Sequence, residues 1–203
     1  ETESRFRLIV ETASDIIYRT NELGYFTYAN PTAISKMGYS LEELKKMHFT
    51  DLVDPKYADS TLRFYLKQKI TNTIKSYREF PIINKKKDAI WIGQNLNFVY
   101  NKEGALQEMN AVARDITEIK LSQTRLHNLI TSLQAGVLLV NKDLKIVLVN
   151  QTFCEMFAIP ALPDDLVDAD CSDFTEENKV AFADEEAFVK RVEEILSSKA
   201  QVL

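Results

Sequence analysis

The sequence is poor in the residues that cross-link chains, bind metals and act as nucleophiles. Its two cysteines are Cys154 and Cys171, and its two histidines are His48 and His127. Two cysteines are too few for a disulfide framework, and they lack the Cys-x-x-Cys spacing typical of zinc sites. The sequence therefore argues against a disulfide-rich secreted protein and against a metal site. A reducing cytoplasm is the expected location.

Long apolar runs are also missing. No stretch approaches the roughly 18 consecutive apolar residues that a membrane-spanning helix needs, and the start of the chain lacks the features of a signal peptide. We therefore expect no membrane segment in these 203 residues. The hydrophobic fraction of 45% is enough for packed cores, in one large or two small domains.

Basic clusters are scarce as well, and the net charge of -5 is unevenly spread. Residues 160–203 hold 12 acidic and 4 basic side chains, so the acidity is concentrated at the C-terminal end. The one basic run, Lys85 to Lys87, has no interleaved aromatic residues. This pattern favours a solvated turn over a nucleic-acid interface, so we expect no nucleic-acid partner.

Hydrophobic periodicity predicts alternating helices and strands along most of the chain. A capping box at Ser40 and Glu43 predicts the start of one short helix. A longer helix is expected over 57–73, with Leu62, Tyr65, Leu66 and Ile70 on one stripe. The other expected elements are a helix at 4–13, strands at 15–20 and 25–30, a helix from Asn30, strands at 77–84, 89–100 and 106–116, and a helix at 117–135.

Shifting the sequence by 120 positions reveals an internal repeat. Asn21 aligns with Asn141 and Asn30 aligns with Asn150, and the alignment between these two positions contains no gap. The apolar positions of the two predicted hairpins also coincide. Any two hairpins followed by helices share some of this pattern, but ungapped agreement favours a duplicated domain.

The end of the first repeat carries a family resemblance. Asp115-Ile116-Thr117 joins the last predicted strand to a helix, and Ile90-Trp91-Ile92-Gly93-Gln94-Asn95 lies on the strand before it. With the element order, these segments resemble PAS domains in the sensor regions of bacterial two-component histidine kinases. The resemblance implies an α+β fold over residues 4–118, with a five-stranded antiparallel sheet flanked by helices. One departure is Lys85-Lys86-Lys87-Asp88, where such domains usually carry Lys-Asp-Gly.

The second repeat resembles a partial PAS domain. We expect a complete domain at 1–116, a connecting helix at 117–135 and a truncated second domain at 136–203, in a piece of a longer protein. An acidic helix is expected at 185–197, with Phe188, Val192 and Ile195 inward. Because a two-stranded hairpin is marginal alone, this half should be disordered or should borrow an edge from another copy.

The residues argue against catalysis in this fragment. His127 lies on the connecting helix, but Asn-Leu-Ile-Thr-Ser follows it instead of the family's phosphoacceptor motif. Residues 57–74 lack the axial histidine of haem-binding relatives, and the first repeat lacks the cysteine that forms flavin adducts. We expect neither haem nor a covalent flavin adduct, and the sequence identifies no other cofactor. The resemblance implies that the parent protein is a histidine kinase.

Polar side chains on an apolar sheet face suggest a small-ligand site. Gln94 interrupts the face formed by Ile92, Leu96 and Phe98, and Met109 lies on the next strand. The predicted ligand-binding residues are Tyr18, Thr20, Phe64, Gln94 and Met109, with Tyr65 as the alternative to Phe64. The competing interpretation is that bulky side chains fill the cavity and that Gln94 bonds to the backbone.

The connecting helix suggests how a signal leaves the domain. We expect Asp115 and Thr117, the latter as helix cap, to relay a change in the sheet to the helix. Ile119, Leu126 and Leu133 lie seven residues apart, which favours a parallel homodimer seam, although the same stripe could cover the sheet of one domain. The predicted function is sensing for a kinase output; the alternative is a ligand-free dimerisation or docking module.

Overall fold

The computed structural model describes residues 2–170 and residue 190. The chain divides into two compact units, residues 1–122 and 123–203, and the division falls inside one helix. Within residues 2–170, no helix has the length and apolar character that a membrane crossing requires.

The first unit contains four helices, five strands and the start of a fifth helix. In chain order they are α1 (Thr2–Thr12), β1 (Ile16–Asn21), β2 (Phe26–Ala29), α2 (Pro31–Met37), α3 (Leu41–Leu44), a 3₁₀ turn (Phe49–Asp51), α4 (Pro55–Ile70), β3 (Lys75–Ile83), β4 (Ala89–Tyr100), β5 (Leu106–Asp115) and α5 (Thr117–Ser132).

The five strands form one antiparallel sheet in the order β2-β1-β5-β4-β3. β5 lies in the centre, where Ala111 pairs with Tyr18 on β1 and with Leu96 on β4. The predicted fold, a five-stranded antiparallel sheet with flanking helices, is confirmed. The hairpin of the N-terminal strands is thereby joined to the C-terminal strands, across about ninety residues of chain.

Period-two alternation puts one face of this sheet into the core. On β4 the buried side chains are Ile92, Gln94, Leu96 and Phe98, while Asn95 and Asn97 between them are exposed. The helices α2, α3 and α4 cover this face. Local polar groups fix where the helices start: Asn30 caps α2, and Ser40 and Glu43 form the predicted capping box of α3.

Of the predicted apolar stripe of α4, only Tyr65 is buried. The helix buries Thr61 and Tyr65, whereas Leu62, Leu66 and Ile70 are 37%, 48% and 82% exposed. The buried face of the helix runs through Thr61 and Tyr65, so it shares only Tyr65 with the apolar stripe. A small threonine allows the helix to approach the sheet, and the aromatic ring of Tyr65 fills the space one turn later.

The turn at Lys85-Lys86-Lys87-Asp88, where the resemblance predicts a glycine, has an unusual backbone. Lys87 adopts a positive φ of 72°. Asn84 closes the turn by donating its N–H to Asp88 O, and Lys87 donates its own to Asn84 O. The missing glycine is therefore replaced by a strained lysine in the left-handed region.

The second unit has a shorter set of elements in its described part. They are the end of α5, β6 (Leu138–Val140), β7 (Ile146–Val149), α6 (Gln151–Met156) and a 3₁₀ turn (Pro163–Leu166). β6 and β7 form a two-stranded antiparallel sheet over a small core that includes Phe153 and the buried Cys154. The helix predicted at 185–197, with Phe188, Val192 and Ile195, lies outside the described residues apart from Lys190, which is helical.

The 120-residue repeat holds at the level of single hydrogen bonds. Asn30 accepts from Ile17 N and Ala33 N and donates to the carbonyls of Val10 and Asp15. Asn150 makes the same four bonds, with partners that are each 120 positions later: Val137 N, Phe153 N, Ile130 O and Ala135 O. α1 in the first unit therefore corresponds to the end of α5 in the second.

The connecting helix is shorter than predicted, because it ends at Ser132 instead of residue 135. Thr131 donates to His127 O at 2.7 Å and Ser132 donates to Leu129 O at 2.9 Å. Hydroxyls that bond to their own helix compete with continued helical structure. Beyond the end of the helix, the carbonyl of Ala135 accepts a hydrogen bond from Asn150. It therefore belongs to the hydrogen bonds around Asn150 that form the frame of the second unit.

Candidate functional site: a buried polar cavity and the exit joint

The first unit has a small, partly open cavity between the sheet and α4. Its volume is about 10 Å³, and it is lined by Tyr18, Thr20, Phe49, Tyr65, Gln94, Leu96 and Met109. Three of these residues carry hydroxyl groups and one carries an amide. None of the seven has a formal charge at neutral pH.

A chain of hydrogen bonds crosses this cavity. The hydroxyl of Tyr18 donates to Gln94 Oε1 at 2.5 Å, and Gln94 Nε2 donates to the hydroxyl of Tyr65 at 2.6 Å. Tyr18 lies on β1, Gln94 on β4 and Tyr65 on α4, so three separate elements meet through polar contacts. All three side chains are buried, with at most 6% exposed.

Burial keeps these phenols neutral. Desolvation and the neighbouring Tyr65 raise the pKa of Tyr18 well above its ordinary value, and the bond to Gln94 only partly opposes this. Desolvation also raises the pKa of Tyr65, against a smaller lowering by Arg78 and Gln94. Both tyrosines therefore act as hydroxyl donors and acceptors and not as charged groups.

Thr20 contributes a polar group that lacks a partner. Its side chain is 2% exposed, it lines the cavity, and its Oγ1 has no hydrogen-bond partner among the described residues. Buried hydroxyls are nearly always paired, because an unpaired one loses the free energy of hydration. The cavity therefore contains an unmet hydrogen-bonding requirement.

Four of the five predicted ligand residues line this cavity: Tyr18, Thr20, Gln94 and Met109. Phe64 does not, and Tyr65 takes its place. Phe64 packs partly buried at the side of the core, where the guanidinium of Arg78 lies 4.9 Å from its ring centre. The choice between neighbouring residues depends on the rotational phase of α4.

Phe49 and Leu96 complete the lining. Leu96 shares the face of β4 that the alternation predicts, but Phe49 belongs to a three-residue 3₁₀ turn with no periodic pattern. The contacts of Gln94 differ from the backbone bonding of the competing interpretation, and the small volume agrees with its filled cavity. The partners of Gln94 are the two phenols and not the backbone, yet the surrounding side chains leave only about 10 Å³.

The exit joint is the segment from Asp115 to Thr117, where β5 ends and α5 begins. Asp115 Oδ1 accepts from the N–H of Thr117 at 3.0 Å and from its hydroxyl at 2.6 Å, while Oδ2 pairs with Lys36 Nζ at 2.6 Å. Thr117 in turn accepts the N–H of Trp91 at 3.0 Å. The first residue of α5 is thus tied to β4, to β5 and, through Asp115, to α2.

Two details of the joint differ from the prediction or extend it. Thr117 is the first helical residue instead of the cap, and Asp115 is the side chain that accepts its N–H. Although partial burial alone would raise the pKa of Asp115, hydrogen bonds from Lys36 and Thr117 lower it overall. The carboxylate is therefore the stable form at neutral pH.

A second attachment holds the first turn of α5 against the sheet. Lys120 Nζ forms an ion pair with Glu79 on β3 at 2.7 Å and lies 5.3 Å from the ring centre of Trp91. The sequence does not predict this contact, because Glu79 and Lys120 are far apart in the chain and neither belongs to a recognisable motif.

The predicted seam of α5 is exposed in the structure. Ile119, Leu126 and Leu129 are 54%, 60% and 62% exposed, and Leu133 lies just beyond the end of the helix. No side chain of α5 between Thr117 and Ser132 is buried. The described residues therefore do not cover this stripe.

Comparisons with known proteins identify the family of the two units. The sequence pattern of the PAS domain family matches residues 14–118, which is more than half of the 203 residues, and a second PAS domain pattern matches residues 124–192. No curated protein sequence matches the chain.

The first two of three similar solved structures show the same fold. A PAS domain from Colwellia psychrerythraea has 19% identity and a TM-score of 0.54, over 58% of this chain and 99% of that one. An RNA-binding light-oxygen-voltage receptor has 20% identity and a TM-score of 0.52, over 63% of this chain and 36% of that one. A sensory box histidine kinase/response regulator from Burkholderia thailandensis has 24% identity and a TM-score of 0.49, over 61% and 93% of the two chains.

Proposed function

The chain belongs to the PAS domain family of sensor domains, and we propose that it senses a small molecule and passes the change through a connecting helix to a histidine kinase output. In this proposal residues 1–116 form the sensing domain, α5 (Thr117–Ser132) is the connecting helix and residues 136–203 form a partial second PAS domain. The fragment itself is not catalytic, and it acts in the bacterial cytoplasm.

The observation that carries the proposal is the route from the cavity to the exit joint along β4. Gln94 bonds to both phenols in the cavity, and Trp91 lies three residues away on the same strand. Trp91 donates its N–H to Thr117 Oγ1 and accepts the N–H of Ile116 at 2.8 Å. A shift of β4 therefore changes the bonds that hold the start of α5.

A ligand acts on this route by competing for hydrogen bonds. A molecule that pairs with Gln94 or with a phenol replaces a bond between β1, β4 and α4, and so favours a different arrangement of these elements. A ligand shifts such an equilibrium only by its difference in affinity for the two arrangements. Asp115 and Thr117 relay the change to α5, as a shift of a helix relative to its neighbours.

The kinase output is supported by the sequence resemblance to sensor regions of two-component histidine kinases. Segments Ile90-Trp91-Ile92-Gly93-Gln94-Asn95 and Asp115-Ile116-Thr117 carry it. In the parent protein we expect ATP-dependent autophosphorylation that depends on the state of the first unit.

Substitutions at the joint test the relay. In the parent protein, Asp115→Ala and Thr117→Ala should change basal autophosphorylation and reduce its response to signal, because each removes bonds between α5 and the sheet. Thr131→Ala is the matched control, since that exposed threonine bonds only within its own helix. Circular dichroism of the 203-residue chain checks that each variant folds. Unchanged output and response in both joint variants would remove the joint from the mechanism.

The exposed stripe of α5 favours a second candidate function, a dimerisation or docking module that needs no ligand. Large exposed apolar side chains grouped on one helix are typical of interaction surfaces. Light scattering of the 203-residue chain tests this: Leu126→Glu should shift a dimer to a monomer, whereas Leu162→Glu, at an equally exposed leucine outside the helix, should not. A monomeric wild-type chain at high concentration would contradict a homodimer.

A further inference from the structure

Two hydroxyl groups in the cavity have hydrogen-bonding capacity that the protein does not use. Thr20 Oγ1 is buried without a partner among the described residues. Tyr65 accepts from Gln94, and among residues 2–170 no acceptor is recorded for its own proton. Both groups line the same space.

Size and charge restrict what this space holds. A volume of about 10 Å³ is close to that of a single water-sized sphere, and buried waters typically bond to two to four otherwise unpaired polar groups. The lining has no charged side chain that could neutralise an ion, and an unpaired ion in such a site is costly. The occupant is therefore small and uncharged.

We propose that the resting occupant of the cavity is one buried water molecule, which bonds to Thr20 Oγ1 and to the hydroxyl of Tyr65. This inference rests on the proposed function in using the same cavity. It adds the class of the signal: an uncharged, hydrogen-bonding small molecule that replaces this water and so disturbs the chain from Tyr18 through Gln94 to Tyr65.

The second unit shows that the site is specific to the first. The position equivalent to Thr20 is Val140, and each pairs with the equivalent residue of the next strand, Phe26 or Ile146. The position equivalent to Tyr18 is Leu138. The hairpin thus accepts valine at this register position, so Thr20→Val is expected to fold and to remove only the hydroxyl.

Oxygen-17 magnetic relaxation dispersion counts long-lived buried water, and the probe is water itself. Compared with the wild-type 203-residue chain, Thr20→Val should lose one long-lived water molecule, and Thr20→Ser should keep it. Thr61→Val is the control, because Thr61 Oγ1 is also buried and unpaired in the described structure but does not line the cavity. An equal water count in wild type and Thr20→Val overturns the proposal.

Thermal unfolding, followed by the fluorescence of Trp91, gives an independent readout. Removing a hydroxyl that is truly unpaired relieves a penalty, so Thr61→Val should raise the Tm by a few degrees. Thr20→Val should leave the Tm unchanged or lower it, because it breaks a bond to water. A rise for Thr20→Val equal to that for Thr61→Val contradicts the proposal.

Mass spectrometry of freshly purified, denatured protein separates this inference from the proposed function. We expect no organic molecule in stoichiometric amount. A retained molecule would overturn resting water and leave sensing intact. In contrast, a water count that behaves as expected, together with joint variants that do not alter output, would keep the water site and refute the sensing function.

Discussion

In the first unit a fully buried asparagine, Asn30, bonds to the preceding helix, to the hairpin and to the following helix; in the second unit Asn150 does the same. The next level of detail also agrees, since Thr32 and Thr152 donate to Ala13 O and Leu133 O. The frame of the hairpin therefore depends on a few polar bonds that both units keep.

The units differ inside that frame. Tyr18 and Thr20 of the first unit become Leu138 and Val140 in the second, so the polar groups of the cavity are replaced by apolar ones. On the outer face of the hairpin, a charged side chain is replaced by an apolar one. Arg19 becomes Leu139, which is 54% exposed to solvent. The comparison teaches that the frame and the sensing chemistry are separate features of this fold.

The largest expected effect tests whether the two frames are equivalent. Asn30→Ala removes the partners of two N–H groups and two carbonyls near a buried position, and should cost the first unit about 3 kcal/mol. Asn150→Ala should cost the second unit a similar amount. The chain has one tryptophan, Trp91, so its fluorescence reports on the first unit alone. Urea unfolding followed at Trp91 should therefore respond to Asn30→Ala and not to Asn150→Ala.

Amide hydrogen exchange over residues 137–150 provides the complementary measurement, because it should respond to Asn150→Ala only. The control is Asn97→Ala on the exposed face of β4, which should have a small effect on either unit. If Asn150→Ala also moves the Trp91 transition, the two units unfold together, and the comparison between independent frames does not hold.

Much of the frame was accessible from sequence because it depends on local chemistry. The capping box of Ser40 and Glu43 uses residues three apart, and the repeated asparagines lie at the start of their own helices. Alternation along β4 also predicts correctly that Gln94 faces inward. Such features need only the chain within a few residues, and the 120-residue repeat displays them twice.

The site was less accessible, because it depends on how distant elements pack. To choose Tyr65 over Phe64, one must know which face of α4 is turned towards the sheet. Most of the large apolar residues of that helix lie off this face, so they do not indicate it. Phe49 reaches the cavity from a short turn, and Lys120 meets Glu79 across 41 positions of chain. None of these contacts leaves a periodic or spaced signal in the sequence.

A smaller effect is expected at the hairpin turns, where the glycine that ends the first turn is a leucine in the second. Gly24 has a φ of 92°, and the equivalent Leu144 has a φ of 57°. At Gly24 an added Cβ would lie 2.3 Å from Nε2 of His48, so Gly24→Ala should destabilise the first unit by about 2 kcal/mol. Leu144→Gly should instead stabilise the second unit by about 0.5 kcal/mol, because glycine tolerates this conformation.

Gly104→Ala separates the two causes, since Gly104 has a similar φ of 80° but no atom within 4 Å of an added Cβ. Gly104→Ala should lower the free energy of unfolding only by the cost of placing alanine at a positive φ, about 1 kcal/mol. Trp91 unfolding measures the first-unit variants, and hydrogen exchange at 137–150 measures Leu144→Gly. Equal losses for Gly24→Ala and Gly104→Ala would show that contact with His48 costs nothing.

The smallest effect concerns pH, and it should distinguish the units because Asp115 belongs to the first. The pKa of Asp115 is lowered in the folded state by Lys36 and Thr117, against an opposing contribution from burial. The folded carboxyl therefore binds a proton more weakly than the unfolded one, whose pKa is about 3.9. Its stabilisation is complete above this unfolded value and is lost as the pH falls through the lowered folded value.

Asp115→Asn should remove this contribution, which we place below about 1 kcal/mol for a side chain that is 28% exposed. Between pH 7 and pH 3, the Trp91 transition should therefore lose less stability in Asp115→Asn than in wild type. Asp59→Asn, an exposed carboxyl on α4, should behave as wild type. Exchange at 137–150 should not distinguish Asp115→Asn from wild type at any pH, because the proposed relay shifts α5 without changing the stability of the second hairpin. A pH-dependent difference there would show that protonation at the joint alters the stability of the second unit.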